Sequence, residues 1–508
     1  GTIISNVSGQ TLIISSNVFA NSGTLNATNS GTLNLASPTW SNSGAFNATG
    51  GILTLSGANG TNTGTLAVTA AGTLNLGGNL STATLGSFTR ATGTTVNISG
   101  VLNNTVQLLD IGGGGVFGTG GLNSLSGTIT GGTLVSGDGT VLSGGGTLTG
   151  VILGDATRQA FTSSGNVFIN GGLTLASGLV ANIGSGQWLF GGGGTVGLST
   201  PGSATINTAG GTITAGFGGA QTLNIGSGIT YQGRGGLGQS SLATINNAGT
   251  IISNVSGQTL TITPNTFTNP GTVTVNSGAS LSTTTGFTSN AGTINVLAGT
   301  SWTTSNTSVT NTNTGTILSG GSINLGTGTL TNNGLLKIGA SPGFTTVTGN
   351  LVLGGTGALE IEIAGYARGV VTGYDALNVI GNVTLGGTVN VVHVPGFTGN
   401  VGDVFHIISA SGTRSGSFTT VTPPIGLDYV QGSDTKNAYL QRGLSFTGVN
   451  VWNTDSSGNF NMGANWSTGV VPTGTETVII DRGPAANPTV TVNTPITVGR
   501  LTATESVL

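Results

Sequence analysis

The chain of 508 residues contains no cysteine and very few charged side chains. Without cysteine no disulfide can hold the fold, so stability has to come from packing and hydrogen bonds. Asp, Glu, Lys and Arg make up 5% of the residues, against about 25% in an average soluble domain. A formal net charge of −3 without a basic stripe argues against nucleic acid as a partner. No apolar run approaches the ~18 residues of a membrane-spanning helix, so we expect no membrane span.

Glycine and small polar residues take the place of the missing charges. There are 96 glycines, without the every-third-residue spacing of collagen, and Asn, Ser and Thr supply most of the polar surface. These residues favour tight turns and β-strands and are poor helix formers. An apolar content of 36% is too high for a disordered chain. The composition therefore predicts an all-β fold.

An Asn-x-Gly turn recurs eight times, each time before a short strand pattern in which apolar residues alternate with polar ones. Within each of two blocks the glycines follow one another at intervals of 19 to 23 residues. Such spacing is typical of a β-solenoid, in which every interval is one coil and equivalent residues stack. We therefore predict a structural ladder of stacked side-chain amides. Its predicted members are Asn21, Asn42, Asn62, Asn247, Asn269, Asn290, Asn313 and Asn332.

Each coil contains three strand patterns, and one of them often carries an aromatic residue such as Trp40. Three strands and three corners predict a triangular cross-section. Gly and Asn at the corners would tolerate the left-handed backbone that sharp bends demand. The predicted fold class is an all-β, right-handed parallel β-solenoid (a β-helix) with about 20 residues per coil, followed by a small C-terminal β-rich spacer.

A longer repeat is superposed on the short one. Residues 1–15 and 249–263 differ at two positions, where Ile13 and Ser15 are replaced by Thr261 and Thr263. The register continues beyond these residues without a gap, which gives a super-repeat of 248 residues. Because the chain opens and stops in the middle of its pattern, we expect it to be a segment of a longer polypeptide.

Motifs in the second half resemble a known group of proteins. Gly339-Ala-Ser-Pro-Gly-Phe344, Thr348-Gly-Asn-Leu-Val-Leu353 and Ala358-Leu-Glu-Ile-Glu-Ile363 are similar to the end of an autotransporter-type or filamentous-haemagglutinin-like β-solenoid. The segment that begins at Trp452 resembles a spacer between solenoid blocks of giant surface proteins. The resemblance implies a secreted or surface-displayed bacterial adhesin, and therefore an extracellular or bacterial cell-surface location.

Regularity and charge divide the chain into five parts. Seven charged side chains lie in residues 1–359 and sixteen in the rest. The predicted parts are regular coils (1–77), less regular Gly-rich coils (78–248), a second copy of the regular coils (249–338), an autotransporter-like solenoid end (339–443), and a Trp-containing β spacer leading into a further repeat (444–508).

Two enzyme motifs occur in the sequence without their structural context. Ser341 stands in a G-x-S-x-G pattern, but a hydrolase elbow uses the backbone N–H after the serine, and Pro342 has none. Gly192, Gly194 and Gly197 fit G-x-G-x-x-G, but no helix pattern follows that could bind a pyrophosphate. We assign no catalytic residue and no cofactor to the chain.

Histidines and carboxylates offer weaker candidates. His393 and His406 are the only histidines, and no third metal ligand accompanies them. The calcium repeat G-G-x-G-x-D is absent. Four carboxylates could form a catalytic pair or a Ca²⁺ site, although a solvated strand face is the favoured interpretation. They are Glu360, Glu362, Asp375 and Asp403.

Two tryptophans near the C-terminus are candidate glycan contacts. Trp452 and Trp466 could stack on sugar rings, or they could close a small β-core, which is the commoner role of aromatics among Gly and Asn. Thr-rich strands such as residues 259–263 also suggest ice binding, but the rows are not maintained from coil to coil.

A solenoid with so few charges predicts a mechanical role. We expect an extracellular structural and adhesive rod, not an enzyme, that belongs to a large bacterial surface or secreted fibre protein. Its expected partners are other copies stacked end to end, or glycans of a host or neighbouring cell. The alternative is a polysaccharide-degrading or polysaccharide-binding β-helix protein, similar to a lyase, a tailspike or a lectin. Only Asp110, Asp138 and Asp155 are acidic in the first 359 residues, which makes an acidic groove hard to build there.

Overall fold

The computed structural model describes most of the chain. The described residues are 1–238, 241–276, 278–284, 286–339, 341–443, 449–454, 456–473, 476–480, 488–496, 498, 500–503 and 507. The start of the predicted spacer, at residue 444, lies outside them. Within the described ranges the fold is an all-β parallel solenoid whose helical elements are two short 3₁₀ segments, Thr82–Thr84 and Gly463–Asn465.

The turns of the solenoid have about 22 residues each. The mean turn is longer than the predicted ~20 residues because Gly-rich coils carry loops, such as residues 111–123. Nineteen strands follow one another on one face of the solenoid, so with ~4.8 Å between successive turns the rod is roughly 85 Å long. Three strands per turn form three faces, which we name A, B and C in the order in which the chain meets them.

Face A is divided between two sheets: its first five strands, from Thr2–Ser5 to Ser87–Arg90, form one sheet, and Leu108–Asp110 begins the other. Its strands are Thr2–Ser5, Thr24–Thr28, Ala45–Thr49, Thr65–Thr69, Ser87–Arg90, Leu108–Asp110, Thr133–Val135, Ile152–Leu153, Leu173–Leu175, Gly194–Ser199, Gln221–Ile225, Ala243–Asn247, Thr266–Asn269, Ser289–Asn290, Val309–Asn311, the second halves of Ser322–Asn332 and Phe344–Leu353, Val383–Leu385 and Arg414–Gly416.

Face B follows in each turn. Its strands are Thr11–Ile14, Thr32–Leu35, Ile52–Leu55, Thr73–Leu76, Thr95–Ile98, Ser124–Leu125, Ala160–Thr162, Val180–Gly184, the first halves of Ala204–Phe217 and Ile229–Leu237, Thr250–Ser253, Thr272–Val275, Thr293–Val296, Thr316–Ser319, Leu335–Ile338, Ala358–Ile363, Thr388–His393 and Thr420–Thr422.

Face C completes the turn. Its strands are Val18–Asn21, Thr39–Asn42, Asn59–Asn62, Asn79–Ser81, Val101–Asn103, Thr128–Thr130, Thr147–Thr149, Asn166–Asn170, Gln187–Gly191, the second halves of Ala204–Phe217 and Ile229–Leu237, Thr259–Ile262, Ser280–Thr283, Ser301–Thr304, the first halves of Ser322–Asn332 and Phe344–Leu353, Ala376–Ile380 and Val404–Ala410.

Alternate residues of each strand point into one continuous core. Leu33 and Leu35 are fully buried, whereas the residues between and before them are half-buried. Leu33 pairs with Leu12 in the preceding turn and with Leu53 in the following one. Each fully buried Leu contributes about 1.5–3 kcal/mol, so these stacked columns take the place of disulfides. The core extends without interruption to Leu440.

The two copies of the super-repeat begin on different faces. Thr2–Ser5 lies on face A, whereas its equivalent Thr250–Ser253 pairs with Ile229–Leu237 on face B. Twelve face A strands lie from Thr2–Ser5 to Ala243–Asn247, so the offset of 248 residues spans eleven turns and one further face. The second copy is therefore rotated about the axis by about a third of a turn relative to the first.

The sequence suggested that the Asn-x-Gly glycines are needed for a left-handed backbone. The structure shows a different reason: neighbouring turns come too close together at these glycines to leave room for a side chain. None of the eight has a positive φ. A Cβ on Gly44 would lie 2.0 Å from the carbonyl oxygen of Gly23, and one on Gly64 would lie 2.0 Å from that of Gly44. Left-handed φ occurs instead at the next corner, as at Asn29 (φ 50°) and Gly50 (φ 70°).

Parallel stacking ends in an antiparallel hairpin. Asn437–Arg442 pairs with Val404–Ala410 of face C and with Tyr429–Ser433, antiparallel in both cases. The hairpin covers the C-terminal edge of face C, so a further parallel coil cannot be added to that edge.

The C-terminal segment has two small sheets and a core of its own. Its strands are Val449–Val451, Thr477–Ile480 and Arg500–Ala503 in one sheet, and Gly458–Asn459 and Val490–Thr491 in the other. Its buried core contains Trp452, Phe460, Trp466, Val478, Ile480 and Val490.

Candidate functional site

Buried asparagine amides form a ladder at the corner between faces C and A. Nδ2 of Asn21 donates to Oδ1 of Asn42 at 2.6 Å, and Nδ2 of Asn42 donates to Oδ1 of Asn62 at 2.6 Å. Nδ2 of Asn21 also donates to the carbonyl oxygen of Gly23, so it binds its own corner as well as the next turn. Asn62 ends the ladder by donating to the carbonyl oxygen of Leu85. Hydrogen bonds of this kind contribute about 0.5–1.5 kcal/mol each.

A second ladder of five rungs lies at a different corner, between faces A and B. Its rungs are joined by Nδ2–Oδ1 distances of 2.7 to 2.9 Å. The members are Asn247, Asn269, Asn290, Asn311 and Asn332, all nearly or fully buried. The corners differ because the second copy of the super-repeat is rotated by one face. The asparagines therefore form two columns, not one.

The assignment of Asn313 to the ladder was wrong. Asn311 pairs with Asn290 and with Asn332 in the strand register and is 0% exposed. Asn313 is exposed and accepts a hydrogen bond from Oγ1 of Thr356 at 3.1 Å. This corner has two extra residues, so the rung lies four residues before its glycine. Strand register, and not the local motif, determines which amide is buried.

The sequence also gave no sign of Asn104, which caps a corner without the Asn-x-Gly motif. It is 0% exposed, and Nδ2 donates to the carbonyl oxygens of Gln107 at 3.2 Å and Thr133 at 3.2 Å. It lies at the corner of the first ladder, in the irregular coils. A single buried amide without a repeat leaves no pattern to detect.

Two adjoining cavities lie beside face B where the more charged part of the chain begins. The first has a volume of about 300 Å³ and is polar, with Lys337, Glu360, Glu362 and Asp375 in its walls. The second has a volume of about 590 Å³ and is lined mainly by apolar side chains. Both are bounded by Leu318 and Gly339. Three of the four carboxylates that the sequence singled out therefore share one cavity.

Strand register brings Lys337 opposite Glu360. The two residues are partners in neighbouring strands of face B, and Nζ lies 2.7 Å from Oε1. Pairs this exposed contribute roughly 0–1 kcal/mol to stability. Glu362 follows on the same strand face, and partial burial raises its pKa, with the Glu360 charge adding to the effect and Lys337 opposing it.

Asp375 is the most buried of these carboxylates, with 1% of its surface exposed. The pKa of Asp375 is raised to about 8, mainly because the carboxyl is buried. Two backbone hydrogen bonds lower this pKa, and the charges of Glu362 and Glu360 raise it. The N–H groups of Gly343 and Glu362 donate to its two oxygens, each at 2.7 Å. Both oxygens are thus engaged in holding the loop before Phe344 against Ala358–Ile363.

The apolar cavity is walled by Phe344, Val370 and Val371, which are 40%, 45% and 69% exposed. The guanidinium of Arg368 lies 5.8 Å from the Phe344 ring centroid, and its Nε donates to the carbonyl oxygen of His406 at 2.9 Å. Ser341 lines the same cavity but precedes a proline and then a strand, so the elements of a hydrolase elbow are not assembled around it.

The other candidates for metal binding are dispersed. His393 is held by the carbonyl oxygen of Phe397 (2.9 Å from Nδ1) and the hydroxyl of Tyr429 (2.6 Å from Nε2), whereas the ring of His406 packs on Tyr439. Asp403 accepts the N–H of Asn400 in a separate loop. Among the described residues, no three His, Asp or Glu side chains form a group that could hold a metal ion.

Trp452 and Trp466 are placed inside the C-terminal core and not on its surface. They are 0% and 2% exposed, and their rings meet edge to face with centroids 5.1 Å apart. Phe460 packs on Trp466 at 4.6 Å, and its carbonyl oxygen accepts the Trp466 Nε1–H at 2.6 Å. Neither ring offers a face to a sugar, so the glycan-contact interpretation of these two residues is wrong.

Comparison with protein-family models gives no match for this chain, and comparison with curated proteins gives none. Within the described residues, neither helical segment is long and apolar enough to cross a membrane. The features of the chain that bear on function are therefore the ladders, the core and the two cavities.

Proposed function

We propose that this chain is a segment of an extracellular rod with a structural and adhesive role, carried by a large bacterial surface or secreted protein. One observation carries the proposal: a single apolar core and turn-to-turn strand pairing run along the solenoid as far as the hairpin at Asn437–Arg442. A solenoid of this kind gains reach with every added turn, and each turn is stabilised by its neighbours.

The surface chemistry supports the same role. Thr, Ser and Asn side chains cover the faces, and rows of them bond from turn to turn, as Asn97 does to Asn75 at 3.0 Å and Asn246 to Asn224 at 2.8 Å. Uncharged hydrogen-bonding rows suit contact with glycans or with another neutral surface. The acidic residues of the irregular coils serve the fold: Asp110 accepts the N–H of Gly137 in the next turn at 2.9 Å.

Activity on polysaccharides is the second candidate, and the polar cavity favours it. A buried acid whose pKa is near neutral, beside two further carboxylates, is a pattern seen in general acid catalysis. In this cavity, however, both oxygens of Asp375 accept backbone hydrogen bonds and Glu360 is paired with Lys337. The carboxylates therefore fit a loop-fixing role better, and we propose that the chain is not an enzyme.

Two measurements test the proposal. Electron microscopy of the purified chain should show rods roughly 85 Å long. Beads coated with the chain should be retained under flow on bacterial or host cell layers more strongly than beads coated with the heat-denatured chain. Compact particles, or equal retention of both bead types, would contradict the proposal.

The second candidate is tested separately. The chain is incubated with neutral and acidic polysaccharides and new reducing ends are measured, with Glu362→Gln as the matched variant. Release of reducing ends by the chain but not by the variant would replace the structural role by an enzymatic one.

A further inference from the structure

The apolar and the polar cavity beside face B meet at two glycines. Gly320 and Gly339 directly follow the strands Thr316–Ser319 and Leu335–Ile338. The two lie against each other, since a Cβ on Gly320 would stand 3.4 Å from the Cα of Gly339. Gly320 lines the apolar cavity, and Gly339 lines both. Because this shared wall carries no side chain, one ligand can extend from one cavity into the other.

The apolar cavity collects side chains that are unusually exposed for their type. Leu318 stands at an outward-facing position where the neighbouring turns have Asn295 and Lys337. Four further apolar side chains in the cavity walls are between 38% and 69% exposed: Leu297, Phe344, Val370 and Val371. A volume of about 590 Å³ is in the range of small-molecule sites, which are mostly apolar with a few polar groups at one end.

The polar cavity supplies one negative charge without a partner. Lys337 and Glu360 compensate each other, with Nζ 2.7 Å from Oε1. Asp375, with a pKa of about 8, is mostly uncharged at pH 7. The Glu362 carboxylate makes no hydrogen bond or salt bridge to any residue that the structure describes, although it is half-buried. A cation bound beside it would offset both the partial burial and the repulsion from Glu360.

We propose that the two cavities together form a binding site for a small organic cation, a primary ammonium group on a short aliphatic or aromatic body. The ammonium group would lie at Glu362 in the polar cavity. The body would pass Gly339 and pack against Phe344 and Val370 in the apolar cavity. An ammonium group is a compact charge with three donors, which suits a single carboxylate.

Anions and neutral sugars fit this pair of cavities less well. An anion would meet Glu360 and Glu362, and the one cation in the walls, Lys337, is already paired. Arg368 lies beside Phe344, but its guanidinium donates to the carbonyl oxygen of His406 at 2.9 Å and to Oγ of Ser409 at 3.2 Å. A sugar would leave its hydroxyls unpaired against the apolar walls. The proposal depends on the cavities alone, so failure of the adhesive role would leave it standing.

Calorimetric titration of the full chain at pH 7 tests the proposal with n-hexylammonium as the probe. Three comparison ligands separate its parts: n-hexanol has the body without the charge, n-hexanoate has the opposite charge, and ethylammonium has the charge with little body. We expect n-hexylammonium to bind at least ~10-fold more tightly than each of them. Added salt should weaken binding of n-hexylammonium and leave that of n-hexanol unchanged.

Four variants locate the binding. Glu362→Gln should weaken n-hexylammonium at least ~10-fold and leave n-hexanol unchanged. Asp434→Asn is the matched control, because it removes the same charge from a residue that lines neither cavity. Val370→Ser should weaken both ligands by a similar factor, whereas Val430→Ser, at another exposed valine outside the cavities, should affect neither.

Glu362→Asp keeps the negative charge and should keep the preference for n-hexylammonium over n-hexanol, so the charge is tested even if Glu362→Gln lowers the melting temperature. Three results overturn the proposal. They are absence of n-hexylammonium binding, equal affinity for n-hexylammonium and n-hexanol, and equal affinity of the parent chain and Glu362→Gln for n-hexylammonium.

Discussion

The side-chain amide of Asn290 donates to Oδ1 of Asn311 at 2.8 Å and bypasses Asn313, two residues further along. Asn311 in turn donates to Oδ1 of Asn332 at 2.7 Å and to the carbonyl oxygens of Gly315 and Leu335. One buried side chain thus connects its own corner with the turns on both sides of it.

Replacing Asn311 by alanine should therefore destabilise the second copy of the regular coils. The change removes three donated hydrogen bonds and leaves the carbonyl groups that accepted them buried. We expect a loss of about 1–3 kcal/mol, measured by denaturant unfolding, and faster amide exchange in the strands from Ser289 to Ile338.

Asn313→Ala is the matched control, because it changes the same residue type in the same corner. Its side chain is exposed, so its free energy of unfolding should stay within ~0.5 kcal/mol of the parent chain. If the two variants are equally stable, or if Asn313→Ala is the weaker protein, the assignment of the rung to Asn311 is wrong.

Replacing Gly44 by alanine should destabilise the fold, although Gly44 does not have a positive φ. Its Cβ would meet the carbonyl oxygen of Gly23 at 2.0 Å, so the two turns would have to separate. We expect Gly44→Ala to cost about 1–3 kcal/mol. Gly197→Ala is the control: among the described residues, no atom beyond Gly197 and its two chain neighbours lies within 4 Å of the place its Cβ would take, and its stability should be unchanged or slightly higher. Equal melting temperatures would contradict the steric argument.

The fold could be predicted from sequence because the repeat of one turn is a local property. A recurring Asn-x-Gly corner and alternating apolar residues define a coil wherever they occur. The choice between Asn311 and Asn313 could not be predicted, since it depends on which residue the neighbouring turns bring into register. The rotation of the second copy was also hidden, because it accumulates over residues 78–248, where the period is blurred.

The polar cavity and the two C-terminal tryptophans likewise could not be interpreted from the sequence alone. The sequence places Glu360 and Glu362 on one strand face. Only the fold brings Asp375 close to them and supplies a backbone hydrogen bond to each carboxylate oxygen of Asp375. Nothing in the spacing of Trp452 and Trp466 distinguishes a stacking platform from a core. That distinction depends on what covers the rings.

Since Trp466 is buried, its removal should unfold the C-terminal core and spare the solenoid. Trp466→Ala loses packing on Trp452 and Phe460 as well as the Nε1–H hydrogen bond, a change of about 3–5 kcal/mol. We expect rapid proteolysis after residue 448 while residues 1–443 stay resistant. Wild-type tryptophan fluorescence should be unaffected by glycans. If a glycan quenches this fluorescence and does not bind the Trp466→Ala variant, the two tryptophans are exposed and the core assignment is wrong.

The raised pKa of Asp375 predicts how stability depends on pH. Its pKa is about 8 in the fold, against an ordinary value of 3.8, so the folded state binds more protons than the unfolded state between these limits. Stability from this group should therefore fall as pH rises towards 8 and level off above it, by up to ~1.4 kcal/mol per pH unit. Urea unfolding at pH 6, 7, 8 and 9 measures this slope.

Two variants separate Asp375 from other groups that titrate in this window. Asp375→Asn cannot ionise, so the slope that Asp375 contributes should be missing whatever the variant's absolute stability. Asp434→Asn should keep the parent slope, because hydrogen bonds from Asn437 and the backbone hold the pKa of Asp434 at about 2, far below the window. If Asp375→Asn keeps the parent slope, the buried carboxyl is ionised throughout this range, and its two backbone hydrogen bonds outweigh the cost of its burial.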